Sequence, residues 1–185
     1  LYNEKSLPVD LVITPDIEIA EFLLGLFKLP GSMAVYQFLN ETVNIFGFRQ
    51  KDTDVPFMKF SLSHINNKLA ELSAAVVMIL RGNHRILVGK EEIYLQRNDL
   101  IYVSCPPERN MEVMRLFGVD HNPYEKAVIF GANAISYYLA SQLENDDNVI
   151  SCCIVENDLE KAHKLAEKLN KASVIAGEMM SDGIL

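Results

Sequence analysis

After Pro123, three short apolar runs alternate with two segments of helical period, and this alternation constrains the chain more than any other feature. Ala127-Val128-Ile129-Phe130 is uniformly apolar, the pattern of a parallel strand covered on both faces. Ile135, Leu139 and Leu143 then recur one helical turn apart, so a helix is expected there. Val149 to Val155 is the next apolar run, and Asn157-Asp158-Leu159-Glu160 makes a capped helix start. Ala162, Leu165, Ala166 and Leu169 form one stripe, and Val174-Ile175-Ala176 reads as a third strand. The order β-α-β-α-β is half of a doubly wound parallel sheet.

The turn after the first of these strands is Gly131-Ala132-Asn133-Ala134-Ile135-Ser136. A dinucleotide-binding turn carries glycine at the first, third and sixth of these positions, for a tight turn, close approach of the pyrophosphate, and helix–strand packing. Gly131 satisfies the first. Asn133 occupies the next, where its side chain is expected to crowd a pyrophosphate, and the small Ser136 occupies the last. Glu156 follows 25 residues after Gly131, at the end of the second strand, where a carboxylate accepts hydrogen bonds from ribose hydroxyls. Two readings stay open here: a working nucleotide site, or a retained fold whose site is lost or altered.

Gly118 to Pro123 is a polar joint punctuated by glycine and proline, and the pattern differs on its N-terminal side. Val9 to Ile13 reads as a short buried strand ended by Thr14-Pro15. Pro15 suits the first turn of a helix, Asp16, Glu18 and Glu21 suit its positive end, and Lys28 its negative end, before Leu29-Pro30-Gly31 stops it. The apolar residues of this helix form two stripes, Ile17, Ala20, Leu24 and Phe27 on one side and Ile19, Leu23 and Leu26 on the other. Such a helix buries both sides, either as a central core helix or between its own domain and a second subunit. From Thr42 the period shortens to two, with Val43, Ile45 and Gly47 alternating with Phe46 and Phe48. A helix over 63–72, a strand over 75–80, a turn at Gly82-Asn83, a return strand over 86–88, a turn at Asn98-Asp99, a strand over 100–103 and a helix over 108–117 complete a compact α+β module.

Composition limits what the chain does. Seventeen Lys and Arg against twenty-five Asp and Glu leave a net charge of −8 over 185 residues, whereas non-specific nucleic-acid binding needs a basic surface to displace counterions. The three cysteines, Cys105, Cys152 and Cys153, are too few for a disulfide framework and match a reducing compartment. The run from Leu72 to Leu80 is far short of the ~20 apolar residues that cross a bilayer. Leu1 is not an initiator, and both ends of the sequence read as cut. The four histidines are scattered over different elements, and no His-x-x-x-His or Cys-x-x-Cys spacing is present, so neither a metal site nor catalysis is expected. Cys152 and Cys153 read as core residues on opposite faces of a strand.

Several segments together resemble the regulator-of-potassium-conductance (RCK) family, in particular the Trk-type potassium uptake regulators built from two tandem RCK units. The resemblance rests on Val9 to Pro15 with the two-sided helix, on Ile79-Leu80-Arg81-Gly82-Asn83, on Asn98 to Val103, and on Met114 to Gly118. It continues in Gly131 to Leu139, Ile154-Val155-Glu156 and Gly177-Glu178. It implies that residues 1–40 end a first unit's nucleotide-binding lobe, that 41–119 form its small C-terminal lobe, and that 120–185 begin a second, Rossmann-like lobe. By resemblance, Gly131, Asn133, Ser136, Glu156 and Glu178 line the second lobe's nucleotide site, with Glu178 in place of the commoner Asp. The ligand implied is NAD or NADH, or ATP or ADP, and no reaction is implied. The implied partners are a membrane-embedded potassium translocator of the TrkH/TrkG type and further copies of the chain in a homodimer or homotetramer. The implied location is cytoplasmic, peripheral on the inner face of the plasma membrane. A fragment of an NAD-dependent oxidoreductase, or a small-ligand module of another transporter centred on Thr42 to Phe117, are the competing readings.

Overall fold

The computed structural model describes residues 12–38, 42–51, 54–88, 92–122 and 124–177. They divide into two compact units. Gly25–Tyr124 make one, and the remaining described residues make the other, the division falling inside the first helix.

That helix, α1 (Pro15–Lys28), has the bounds its sequence predicts, with Pro15 in its first turn and Lys28 in its last. The amides of Ile17 and Glu18 donate to the Thr14 carbonyl. One apolar stripe is buried at Ala20 and Leu24, whereas Ile19 and Leu23 on the other remain 47% and 39% exposed. Leu26 of that second stripe packs against the core of the antiparallel unit, and Ile17 of the first is exposed, so each stripe is only partly buried. The strand expected at 9–13 lies largely outside the described residues, and Val12 and Ile13 are in no strand.

The unit Gly25–Tyr124 is an antiparallel sheet in the order β1-β2-β5-β3-β4, formed by β1 (Ser32–Phe38), β2 (Val43–Arg49), β3 (Ala75–Arg81), β4 (His84–Leu87) and β5 (Leu100–Cys105). Alternation works as the two-residue period requires. Phe46 and Phe48 of β2 and Ile101 and Val103 of β5 are fully buried, facing α2 (Leu62–Leu69) and α3 (Asn110–Leu116), which contribute Leu62, Ile65, Leu69, Val113 and Met114 to the same core. Strand β1 is absent from the sequence expectations. It is an edge strand paired only with β2, with Met33, Tyr36 and Phe38 each 49% exposed, and a half-open edge carries no clear hydrophobic alternation. Gly31 precedes it at φ +87; a Cβ there would lie 2.7 Å from His121 Cδ2 and 2.8 Å from Val119 Cγ1, so only glycine fits this turn. At the hairpin, Gly82 alone takes positive φ, not Asn83, and Asn98 takes φ +70 at the next turn. Beside that turn lies Asp99, fully buried, its carboxylate accepting from Arg81 Nε at 2.9 Å and Nη2 at 2.8 Å and from the Gln96 amide at 2.8 Å.

The second unit carries β6 (Lys126–Phe130), α4 (Ala134–Leu143), β7 (Ser151–Glu156), α5 (Leu159–Ala166) and β8 (Ser173–Ala176). All of its strands are parallel, in the order β6-β7-β8, with Phe130 opposite Val155 and Val155 opposite Ile175. The parallel half-sheet read from the apolar runs is therefore present. Crossovers between parallel strands are right-handed as a rule, and two in succession along one direction of a sheet put their helices, here α4 and α5, on a single face. Cys152 and Ile154 are buried, while Val128, Phe130 and Ile175 on the other face are 49%, 41% and 43% exposed. Val155, which lies between Phe130 and Ile175 on that second face, is buried, so the face is covered at its central strand and open at its two edges.

Candidate functional site

The turn from β6 into α4 is where sequence and geometry converge. Gly131 adopts φ +94, which an L side chain rarely adopts, and no atom lies within 4 Å of where a Cβ would stand. The turn is tight and open above, as a phosphate-binding turn requires.

The two departures from the glycine pattern act together. Asn133 is the N-cap of α4: its side chain accepts from the Ser136 amide at 3.0 Å, and its own amide donates to Ser136 Oγ at 2.8 Å. This reciprocal box satisfies two helix-end donors. The side chain of Asn133 is folded back onto the helix end, where its oxygen occupies the Ser136 amide. Ser136 is buried, in keeping with its place against the sheet.

Glu156 is 7% exposed at the end of β7, and both of its oxygens are engaged. Oε2 accepts from the Ala132 amide at 2.6 Å and Oε1 from the Asp158 amide at 2.9 Å. Those amides, Asp158 first and then Ala132, hold its carboxyl below the usual range. The residue expected to meet a ribose is thereby a clamp between the glycine turn and the start of α5, where Asp158 caps with bonds to the Glu160 and Lys161 amides. The amides of Ala132, Asn133 and Ser136 all have acceptors within the chain. Ala134 and Ile135 are the two turn residues whose amides have no acceptor among the described residues. Gly131, Asn133, Ser136 and Glu156 are thus brought together, while Glu178 lies outside the described residues.

The clamp makes a testable statement. A carboxyl whose folded pKa is depressed stabilises the fold above its unfolded pKa, and that contribution is lost as pH falls through the folded pKa. Glu156→Gln replaces one acceptor oxygen by an NH2 group facing an amide donor. The variant is expected to melt at a lower temperature than the parent at pH 7, with the gap closing as pH drops below the ordinary carboxylate range. Equal melting temperatures at pH 7 would show that the clamp contributes nothing.

A feature that the sequence expectations missed lies beside the turn. Ala132, Asn133, Ala134 and Tyr137 of the α4 end face Lys161, Lys164, Leu165 and Lys168 of the α5 segment across a groove of about 360 Å³. The signal was present as lysines at i, i+3 and i+7, the first two on α5 and the third just past its end. Elsewhere, burial, with the charge of Glu108 second, pushes the Cys105 thiol up to about 12, and its Sγ donates to Asn110 Oδ1, so it is not a poised nucleophile. Among the described residues no group of three or more His, Cys, Asp or Glu is arranged to hold a metal, and no helix is long and apolar enough to cross a membrane.

No family model matches the chain. Curated relatives do. The Trk system potassium uptake protein TrkA of Azorhizobium caulinodans is 28% identical over 185 residues, covering 100% of this chain and 40% of its own length. The TrkA proteins of Haemophilus influenzae and Halomonas elongata are 25% and 22% identical, each over 100% of this chain and 39% of their own. Among solved structures, a GsuK channel overlaps 88% of this chain and 40% of its own at TM-score 0.39 and 12% identity, too loose a superposition to bear on the reading. The chain spans about two fifths of the length of the relatives it matches. From end to end, this chain is similar to proteins of one name, the TrkA proteins of Trk potassium uptake systems.

Proposed function

We propose that the protein is a non-catalytic, nucleotide-responsive regulatory subunit of a potassium uptake system, acting in the cytoplasm on a membrane-embedded potassium translocator. The observation that carries this reading is the end-to-end similarity of all 185 residues to TrkA proteins. In this reading the residues up to the middle of α1 close a first nucleotide-binding lobe, the antiparallel unit that includes β1 is its small lobe, and 120–185 open a second lobe. The partly open face of the β6-β7-β8 sheet, exposed at Val128, Phe130 and Ile175, supports the last assignment, because parallel sheets are ordinarily covered twice. The open stripe of α1 at Ile19 and Leu23 is the contact to a second copy in a homodimer or homotetramer.

The ligand is NAD, NADH, ATP or ADP. Gly131 shapes the turn, the Ala134 and Ile135 amides receive a phosphate oxygen, and Glu156 with the Asn133–Ser136 box keeps the turn rigid. A ligand regulates only by contacting two conformations unequally, so binding without turnover suffices for the role. Two measurements test it. Potassium flux through the reconstituted translocator should depend on the full-length protein and change with added nucleotide; flux indifferent to both would refute the role. Asn133→Gly releases the Ser136 amide at a helix-stability cost of only a few tenths of a kcal/mol. Titration calorimetry should show several-fold tighter nucleotide binding in that variant, and equal or weaker binding would remove the capping box as the obstacle.

A further inference from the structure

We propose that the hydrogen bond between Tyr138 of α4 and Glu21 of α1 is a latch on α1 that a nucleotide at the β6–α4 turn weakens; this rests on the nucleotide reading of that turn. The Tyr138 hydroxyl donates to Glu21 Oε1 across 117 residues of sequence. The bond holds the Tyr138 phenol above its ordinary range, with burial and the charge of Glu21 adding to it. It is not a by-product of packing in the second unit. Helix α4 buries Ser136, Ala140 and Leu143. At 3.6 residues per turn, Tyr138 lies nearly opposite Ser136 and Ala140, on the far side of the helix. Its hydroxyl therefore reaches away from that core, out to α1.

Helix α1 is built to carry a change at one end to the other. Residues 15–24 group with the second unit and 25–28 with the antiparallel unit, and the helix is continuous over about 21 Å. Its last turn is seated closely within the antiparallel unit. A Cβ on Gly25 would stand 3.2 Å from Val35 Cβ, Leu26 packs against the core, and the Phe27 and Tyr124 rings lie 5.6 Å apart. Close packing of this kind gives way reluctantly. The Tyr138–Glu21 bond is exposed, and such a bond trades with water at small net cost.

Charge fixes the direction. A phosphate received by the Ala134 and Ile135 amides meets α4 about 6 Å along the axis from Tyr138, inside the Debye length of about 10 Å at 0.1 M salt. Phosphate and the Glu21 carboxylate carry the same sign, so each disfavours the other. Coupling is reciprocal, so breaking the latch tightens nucleotide binding by the factor by which the nucleotide weakens the latch. An exposed bond places that factor at the low end of the usual range, about 5-fold.

Calorimetric titration of ATP and of NAD into the full-length protein, with hydrogen exchange of the α1 amides followed in parallel, provides the test. Tyr138→Phe removes the donor and Glu21→Ala the acceptor. Each should tighten nucleotide binding about 5-fold, and the double variant should bind no more tightly than the tighter single, because both remove one interaction. Glu18→Ala makes the same change of charge on the same helix and should alter affinity by less than about 2-fold, since only screened repulsion is removed. In the parent, nucleotide should speed exchange at residues 20–24; in Tyr138→Phe exchange there is already fast and should not respond. Binding by the parent without a change in α1 exchange, unchanged affinity in both single variants, additive gains in the double, or an equal gain from Glu18→Ala would each overturn the latch and leave the nucleotide reading standing. A parent that binds neither ATP nor NAD at millimolar concentration would overturn both.

Discussion

Asp99→Ala is expected to lower the stability of the antiparallel unit by about 3 kcal/mol, near the lower bound for breaking a buried ion pair. The carboxylate is fully buried and accepts three hydrogen bonds, two from Arg81 and one from the Gln96 amide. Its loss leaves the Gln96 amide without an acceptor. Arg81, whose side chain is 32% exposed, can still reach water, which is why the lower bound applies. Arg81→Met should cost at least as much, because the partner it strands cannot reach water at all. The double variant should recover part of the loss, since removing both members abolishes the uncompensated charge. For a unit of 100 residues, 3 kcal/mol corresponds to a drop in melting temperature on the order of 15 °C. Circular dichroism of the single and double variants checks this; a loss below 1 kcal/mol for Asp99→Ala would mean that the pair is structurally idle.

Phe117→Ala should cost as much or more, about 3–5 kcal/mol. The ring is fully buried at the end of α3 and meets Phe48 at 5.0 Å and Phe57 edge-on at 5.2 Å between centroids. Phe48 in turn stacks on Phe46 at 6.0 Å. Truncation leaves a cavity bordered by two rings that belong to different elements and cannot both collapse into it. The backbone carbonyl of Phe117 also accepts from Gln50 Nε2 at 3.1 Å, and the substitution leaves that bond in place, so the loss reports packing alone. Phe117→Leu, which refills most of the volume, should cost less than half as much. Urea midpoints should fall with an unchanged m-value; a shift under 1 kcal/mol for the alanine variant would show that the ring cluster is not the centre of this core.

Much of the architecture was legible in the residues. The runs Ala127–Phe130 and Val149–Val155 announced parallel strands because both faces of each are apolar, and β6 and β7 do pair in parallel. The alternation of Val43 to Phe48 placed two phenylalanines on the core face of β2. Edge strand β1 was not legible, because half of its side chains meet solvent and its identity comes from the register it takes on β2. The turn at Asn98-Asp99 was read, but not the role of Asp99, whose partner Arg81 is 18 residues away across a hairpin.

The same division runs through the candidate site. Gly131 and the departures at Asn133 and Ser136 were visible from spacing, as was Glu156 at a strand end. That Glu156 spends both oxygens on amides, one of them 24 residues away at Ala132, depends on strand register. That three lysines face an aromatic ring across a groove depends on how two helices lie on one sheet face. Sequence alone determined which stretches become strand, helix or turn, since periodicity and backbone preference belong to neighbouring residues. Only the tertiary structure decided which amides, carboxylates and cations remain for a ligand, because a polar group's partners are set by distances between segments far apart in the chain.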